Sequence, residues 1–230
     1  MNSTRKIKKF VSATLVAVSA LCASAANATL FLTLTDDVTL ATITIQDNQI
    51  GDAFSSVGSI GYYGGIGSWN AAITIGGSNA PGTASAAFLD FSSIYLTNNG
   101  AGSLTLTLTD TGFTNPSGLN TGVSTGIGGT TNGTITAISL FNGNTLINLG
   151  SFTGGPGGSF SGGGGTSVNT TNPFSLSNSV TVTYGAGGGA STFAMNTNVP
   201  EPATLGLLGL GLIGIGLARR KAAQKHTAKS

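Results

Sequence analysis

Residues 103–109 read Ser-Leu-Thr-Leu-Thr-Leu-Thr. This strict alternation has the period of a β-strand. Leu104, Leu106 and Leu108 fall on one face, and Thr105, Thr107 and Thr109 fall on the other. The leucine face requires a core, while the threonine face tolerates water, so the pattern predicts an antiparallel sheet with one wet side.

The same texture recurs along the chain. Leu30 to Thr35 and Leu40 to Ile45 alternate in the same way. Further strands are predicted at Trp69 to Ile75, Ala86 to Phe91, Ile94 to Thr97, Gly133 to Phe141, Thr145 to Phe152 and Val180 to Tyr184. Turn chemistry separates them: Asp47-Asn48, Gly76-Gly77-Ser78-Asn79, Asn98-Asn99-Gly100, Asn115-Pro116-Ser117-Gly118 and Asn142-Gly143-Asn144. Phe141 to Thr145 reads as a short hairpin. Eight or more short strands with no helix between them predict an all-β, antiparallel sandwich-like domain. Leu32-Thr33-Leu34-Thr35-Asp36 returns as Leu106-Thr107-Leu108-Thr109-Asp110. A composition this narrow repeats by chance, and that reading is preferred over duplication. The glycine-rich stretch Gly154 to Gly165 reads as a flexible loop.

The two ends have a different character. Arg5, Lys6, Lys8 and Lys9 precede the apolar run Phe10 to Ala20, and Ala26-Asn27-Ala28 fits a small-residue cleavage pattern. Residues 1–28 are therefore predicted to be a secretory signal peptide, cut between Ala28 and Thr29 by signal peptidase. Cys22 lies inside it, and Leu21 before it is not the small residue that a lipidation site needs.

At the other end, Pro200-Glu201-Pro202 precedes an uncharged run from Ala203 to Ala218, followed by Arg219-Arg220-Lys221. As a helix the run is about 24 Å long, at the low edge of what spans a bilayer. A C-terminal transmembrane helix is predicted, with Arg219, Arg220 and Lys221 as the cytoplasmic stop. Gly209-Leu210-Gly211-Leu212-Ile213-Gly214 has dinucleotide-fingerprint spacing, but no strand precedes it and no acid follows, so that reading is rejected.

The order of motif, apolar run and basic cluster resembles the PEP-CTERM sorting signal of Gram-negative bacteria. The matching residues are Val199-Pro200-Glu201-Pro202-Ala203-Thr204, the Gly/Leu-rich run and Ala218-Arg219-Arg220-Lys221. This resemblance implies recognition by an exosortase, a membrane-embedded cysteine transpeptidase or protease, and release or transfer to the cell exterior. It also implies association with exopolysaccharide and biofilm matrix. The body resembles a recurrent PEP-CTERM body type through Gly61, Trp69, Ala87-Phe88-Leu89-Asp90 and Leu108 to Thr114. That body type has no assigned chemistry. The predicted organisation is signal peptide 1–28, β domain 29–184, flexible linker 185–199 and sorting signal 200–224.

Charge narrows the chemistry. All nine Lys and Arg, the one His and the one Cys lie in the two end segments. Between Thr29 and Val199 the formal charges are Asp36, Asp37, Asp47, Asp52, Asp90 and Asp110. Such a domain has no basic patch for nucleic acid. It also has no cysteine for a disulfide and no His or Lys to activate a serine. Zinc sites built on His or Cys are excluded. Carboxylate pairs are the remaining route to catalysis: Asp36 and Asp110 end two similar strands and would meet if those strands were suitably placed. Turn-forming roles are preferred for both. Calcium stays open, because loop aspartates, asparagines and carbonyls could supply its oxygens, although no spaced calcium loop is present. Tyr62, Tyr63 and Trp69 could stack on sugars if exposed, with a buried aromatic core as the favoured reading.

The combined expectation is a non-enzymatic, exported cell-surface or extracellular-matrix protein without a cofactor. Its partners would be signal peptidase, an exosortase, the membrane through the tail before processing, and exopolysaccharide. The protein would be held transiently in the membrane and then reside in the envelope or outside the cell. A carbohydrate- or calcium-binding extracellular module, or a permanently anchored single-pass envelope protein, are the alternatives.

Overall fold

The computed structural model describes residues 29–80, 82–83, 86–154 and 158–200. The predicted signal peptide with Ala26 and Ala28, the transmembrane run, Glu201, Pro202 and the cluster Arg219, Arg220 and Lys221 lie outside the described residues. Among the described residues there is no helix, and none long and apolar enough to cross a membrane.

Twelve strands follow in order: β1 (Thr29–Asp36), β2 (Thr42–Gln46), β3 (Ser59–Ile66), β4 (Trp69–Ser78), β5 (Ala86–Asn98), β6 (Gly102–Phe113), β7 (Gly118–Thr131), β8 (Thr134–Phe141), β9 (Asn144–Thr153), β10 (Gly158–Thr170), β11 (Phe174–Tyr184) and β12 (Gly189–Pro200). They form two six-stranded sheets. Sheet A has the order β2-β1-β6-β11-β8-β9, and sheet B has the order β10-β7-β12-β5-β4-β3. Every pairing is antiparallel. The all-β sandwich expected from the alternation is the observed fold.

One core lies between the sheets. Leu32, Leu34, Leu104, Leu106, Leu108, Val180 and Val182 enter it from sheet A, and Ile73, Leu89, Phe91, Ile94, Leu96 and Met195 enter it from sheet B. The alternation in β6 falls as expected, with Leu104, Leu106 and Leu108 fully buried. The hydroxyls of the other face pair across strands: Thr105 with Thr181 at 2.8 Å, Thr107 with Ser179 at 3.0 Å and Thr109 with Ser177 at 2.9 Å. These pairs satisfy a polar face that carries no cations to bridge.

The Asn142-Gly143 hairpin also forms. Phe141 pairs with Asn144, and the two residues between have φ of 49° and 77°. Both are left-handed, as a two-residue turn matching strand twist requires.

Three expectations are overturned. Gly76, Gly77 and Ser78, read as part of a turn, lie inside β4 and pair with β5. Residues 185–199, read as a linker, are mostly β12, an interior strand of sheet B paired with β7 on one side and β5 on the other. The β domain therefore runs to Pro200 and not to residue 184. Its inward residues Phe193, Met195 and Val199 are buried, and that apolar set holds the strand in place. The glycine-rich stretch 154–165 is not a loop over most of its length, because β10 begins at Gly158. Its glycines answer to packing. A Cβ at Gly162 would lie 2.5 Å from Cζ of Phe152, and one at Gly164 would lie 2.8 Å from Cγ2 of Ile147. The bare backbone lets β10 lie close against the side chains of β9, at the edge where the two sheets approach.

Candidate functional site

Carboxylate pairs among the six aspartates are the catalytic route that the sequence left open. β1 and β6 are neighbours but run in opposite directions: Leu32 pairs with Leu108, Leu30 with Asp110 and Asp36 with Leu104. Asp36 and Asp110 therefore sit six residues apart along the sheet, roughly 20 Å. Glycosidase carboxylates stand about 5–9.5 Å apart, so these two cannot act on one bond.

Asp36, Asp37, Asp47 and Asp52 each have a structural use, whereas Asp110 is buried with one oxygen unpaired. Asp36 Oδ1 accepts the N–H groups of Val38 and Thr39, closing the turn after β1. Burial pushes its carboxyl up, but the Thr39 hydroxyl and these two N–H groups outweigh that and hold it below the usual value. Asp110 is buried in β6, with Oδ1 unpaired among the described residues. Burial pushes its carboxyl up to about 6, against hydrogen bonds from Ser78, Thr111 and Thr29. Asp37 accepts the hydroxyls of Ser103 and Thr105 at 2.9 Å each. Asp47 and Asp52 accept backbone N–H groups from Gly58, Asn48, Phe54 and Gly61. Among the described residues no three of His, Cys, Asp and Glu gather as a metal site.

The predicted aromatic group is divided by strand parity. Trp69 points inward, 1 % exposed, and stacks on Tyr184 with ring centroids 5.1 Å apart. Tyr62 is half-buried, and its hydroxyl donates to the Gly65 carbonyl at 3.1 Å. Tyr63, the next residue, points outward and is 57 % exposed.

The strand register gives Tyr63 a companion that sequence reasoning missed. Tyr63 pairs with Ala72, Ala72 with Tyr95, Tyr95 with Thr192 and Thr192 with Thr130. These residues form one row across the outer face of sheet B. Tyr95 is 49 % exposed. The two tyrosines stand two strands apart, about 9–10 Å, with only a methyl group between them. Parity was the available signal: Ile94 and Leu96 face the core, so Tyr95 between them must face out.

Beside this row the outer face is hollowed along β12. One depression of about 190 Å³ is lined by Tyr95, Thr130, Asn132, Ala190 and Thr192. The next, about 300 Å³, has Gly126, Gly128 and Ala194 around it with Asp90 and Asn196. A third, about 210 Å³, lies among Phe88, Asp90, Asn196 and Asn198. Shared walls at Asp90 and Asn196 join the second to the third. The hollow exists because Gly126 and Gly128 of β7 and Ala194 of β12 put little or no side chain on this face. Hydroxyls, carboxamides and one carboxylate, Asp90, surround it.

β12 leads from this face into the tail. Val199 is buried, and Pro200, paired with Ala86, is the exposed last residue of the strand. Residues 198–221 match the family model of the PEP-CTERM protein-sorting motif. The chain carries a PEP-CTERM sorting motif. The PEP-CTERM match overlaps the end of β12, so the motif begins inside the folded domain and not beyond a spacer. Thr29, the first residue after the predicted signal cut, opens β1.

No curated protein matches the sequence. Among solved structures, TmCBM61 in complex with β-1,4-galactotriose is similar at 12 % identity and TM-score 0.32, over 57 % of this chain and 90 % of that one. A family 35 carbohydrate-binding module from Clostridium thermocellum is similar at 13 % identity and TM-score 0.27, over 48 % and 90 %. A mutant family 29 carbohydrate-binding module complexed with mannohexaose is similar at 7 % identity and TM-score 0.28, over 72 % and 90 %. At such scores the likeness carries no argument about what this chain binds.

Proposed function

We propose that this is an exported, non-enzymatic surface or extracellular-matrix protein, sorted through its PEP-CTERM tail by an exosortase, that holds neutral carbohydrate on the outer face of sheet B. The observation behind the carbohydrate reading is the exposed pair Tyr63 and Tyr95 in one cross-strand row. Aromatic faces held apart on a flat sheet offer stacking surface for the C–H faces of pyranose rings. Thr192, Thr130 and Asn196 alongside offer donors and acceptors for sugar hydroxyls. The domain has no Lys, Arg or His to neutralise an anion, so an uncharged glycan is the class that fits. The roughly 20 Å between Asp36 and Asp110 supports binding over hydrolysis.

The test is affinity electrophoresis of residues 29–200 through gels containing neutral polysaccharides, including the host's own exopolysaccharide. The parent should be retarded, and Tyr63→Ala and Tyr95→Ala should each weaken binding about tenfold, roughly 1.4 kcal/mol. Thr33→Ala, on the outer face of sheet A, should behave like the parent. A double tyrosine variant that migrates like the parent, or a parent that no polysaccharide retards, would defeat the reading.

A further inference from the structure

Pro200 is the exposed end of β12, and the apolar run begins at Ala203. Three residue steps span at most about 10 Å. While the tail is held in a bilayer, the domain therefore has no room to stand away from it. The end of the sandwich at Pro200 must lie against the lipid, and the register identifies what it would present.

In the β7–β12 pairing Asn198 is level with Ser124, which places Pro200 level with Gly122. β7 continues past that level to Gly118, and Leu119 lies three residues beyond, up to about 10 Å further. That is the depth at which the apolar run begins. Leu119 is a large apolar side chain 77 % exposed to solvent. The loop between β2 and β3, at the same end, adds the exposed side chains of Ile50 and Val57. The two acids of that loop, Asp47 and Asp52, accept N–H groups within it and, for Asp52, from Gly61 of β3. Thr29 of β1 also lies at this end, because it pairs with Thr111 near the close of β6.

From this geometry we infer that the Leu119 end of the sandwich is a bilayer-docking surface, seated in the interface whenever the tail is membrane-held. The partner is the lipid surface itself. The contact is apolar and not electrostatic, since no Lys or Arg lies among the described residues. Docking at this end directs β12 along the membrane normal and leaves the Tyr63–Tyr95 face accessible from the side.

The inference rests on the sorting tail entering the bilayer, and its test separates that premise from the docking. The mature chain, residues 29–230, which contains no cysteine, is reconstituted in phosphatidylcholine–phosphatidylglycerol liposomes. Single cysteines replace Leu119, Ile50 or, at the opposite end, Leu40. Each carries an environment-sensitive fluorophore, and the lipids carry nitroxide quenchers. Probes at 119 and 50 should be blue-shifted and quenched several-fold more than the probe at 40. Equal quenching at 119 and 40, with unchanged circular dichroism, overturns the docking. A parent chain that does not float with the liposomes overturns the membrane premise and with it this inference, while the carbohydrate reading is untouched.

Discussion

Thr197 of β12 donates its hydroxyl to Asn178 Oδ1 of β11 at 2.6 Å, across the interior of the sandwich. Asn178 Nδ2 in turn donates to the Leu89 carbonyl of β5 at 3.0 Å. Thr125 Oγ1 lies 3.0 Å from Thr197 Oγ1 and donates to Ser139 in β8 at 3.0 Å. A buried polar thread thus ties sheet A to sheet B and fixes which strands oppose one another.

Breaking the thread is expected to be costly. Asn178→Leu leaves the Leu89 carbonyl and the Thr197 hydroxyl without their partner, at about 1–3 kcal/mol for each unpaired group. Urea unfolding should show a lower midpoint with an unchanged slope. A midpoint at the parental value would mean that the thread adds no stability.

The two faces of β6 should respond unequally. Leu106 is fully buried, so Leu106→Ala should cost about 2–5 kcal/mol. Thr107→Ala loses one hydroxyl contact to Ser179 on the wet face and should cost less than about 1.5 kcal/mol. Comparable losses in denaturant melts would contradict the assigned faces.

Stability should fall as pH rises through 6. Burial holds the Asp110 carboxyl at about 6, whereas an unfolded carboxyl titrates near 4. Between those values the folded state binds the extra proton, so its stabilisation is full below about pH 4 and is lost as pH climbs through about 6. Thermal unfolding between pH 4 and 7 should show this decline, of order 2 kcal/mol. Asp110→Asn should flatten it. Asp36, lowered in the fold, acts in the opposite sense and only at the acidic end: its contribution is present above the unfolded value and lost as pH falls through its own.

Truncation distinguishes a strand from a linker. Residues 29–200 should unfold cooperatively. Residues 29–188 lack β12 with Phe193, Met195 and Val199, and should show no cooperative transition. A native-like melt of the shorter chain would make β12 peripheral.

Sorting should separate into two steps. Glu201→Ala or Pro202→Ala should leave uncut protein in the membrane of a host with its exosortase. Neutral replacements of Arg219, Arg220 and Lys221 should instead mislocalise the protein, because that stop is electrostatic. An immunoblot of cell fractions that finds the Glu201 variant trimmed and released would remove the exosortase from the account.

What could be read in advance depended on contrast between strand faces. In β6 leucine alternates with threonine, and period two was plain. In β12 the alternation is also present, but Ser191 and Thr197 are among its inward residues and the run Gly187 to Gly189 leads into it, so core and wet faces look alike. β10 loses its alternation across Gly162 to Gly165, whose missing side chains answer to the approach of Phe152 and Ile147 from elsewhere in the chain. The recurrence of Leu-Thr-Leu-Thr-Asp placed two acids on similar strands, but composition carries no direction, and antiparallel pairing set them at opposite ends. Tyr95 was legible by parity, whereas its proximity to Tyr63 required the register of three strands.

The position of β12 also bears on how the protein is made. An exported chain emerges N-terminus first, so β5 and β7 are outside the cytoplasm well before the strand that belongs between them. Until residues 189–200 follow, two unpaired edges face each other across a strand-wide gap, open to any extended segment nearby. Pairing partners of β12 lie as far back as residue 86, and such long-range closure is intrinsically slow. With the apolar run only two residues behind it, the last strand would emerge, on the membrane-held route inferred above, as the chain reaches the bilayer. On the export route proposed above, the sheet closes only when translocation is nearly complete, and the interval before closure is when the chain is most open to misassembly.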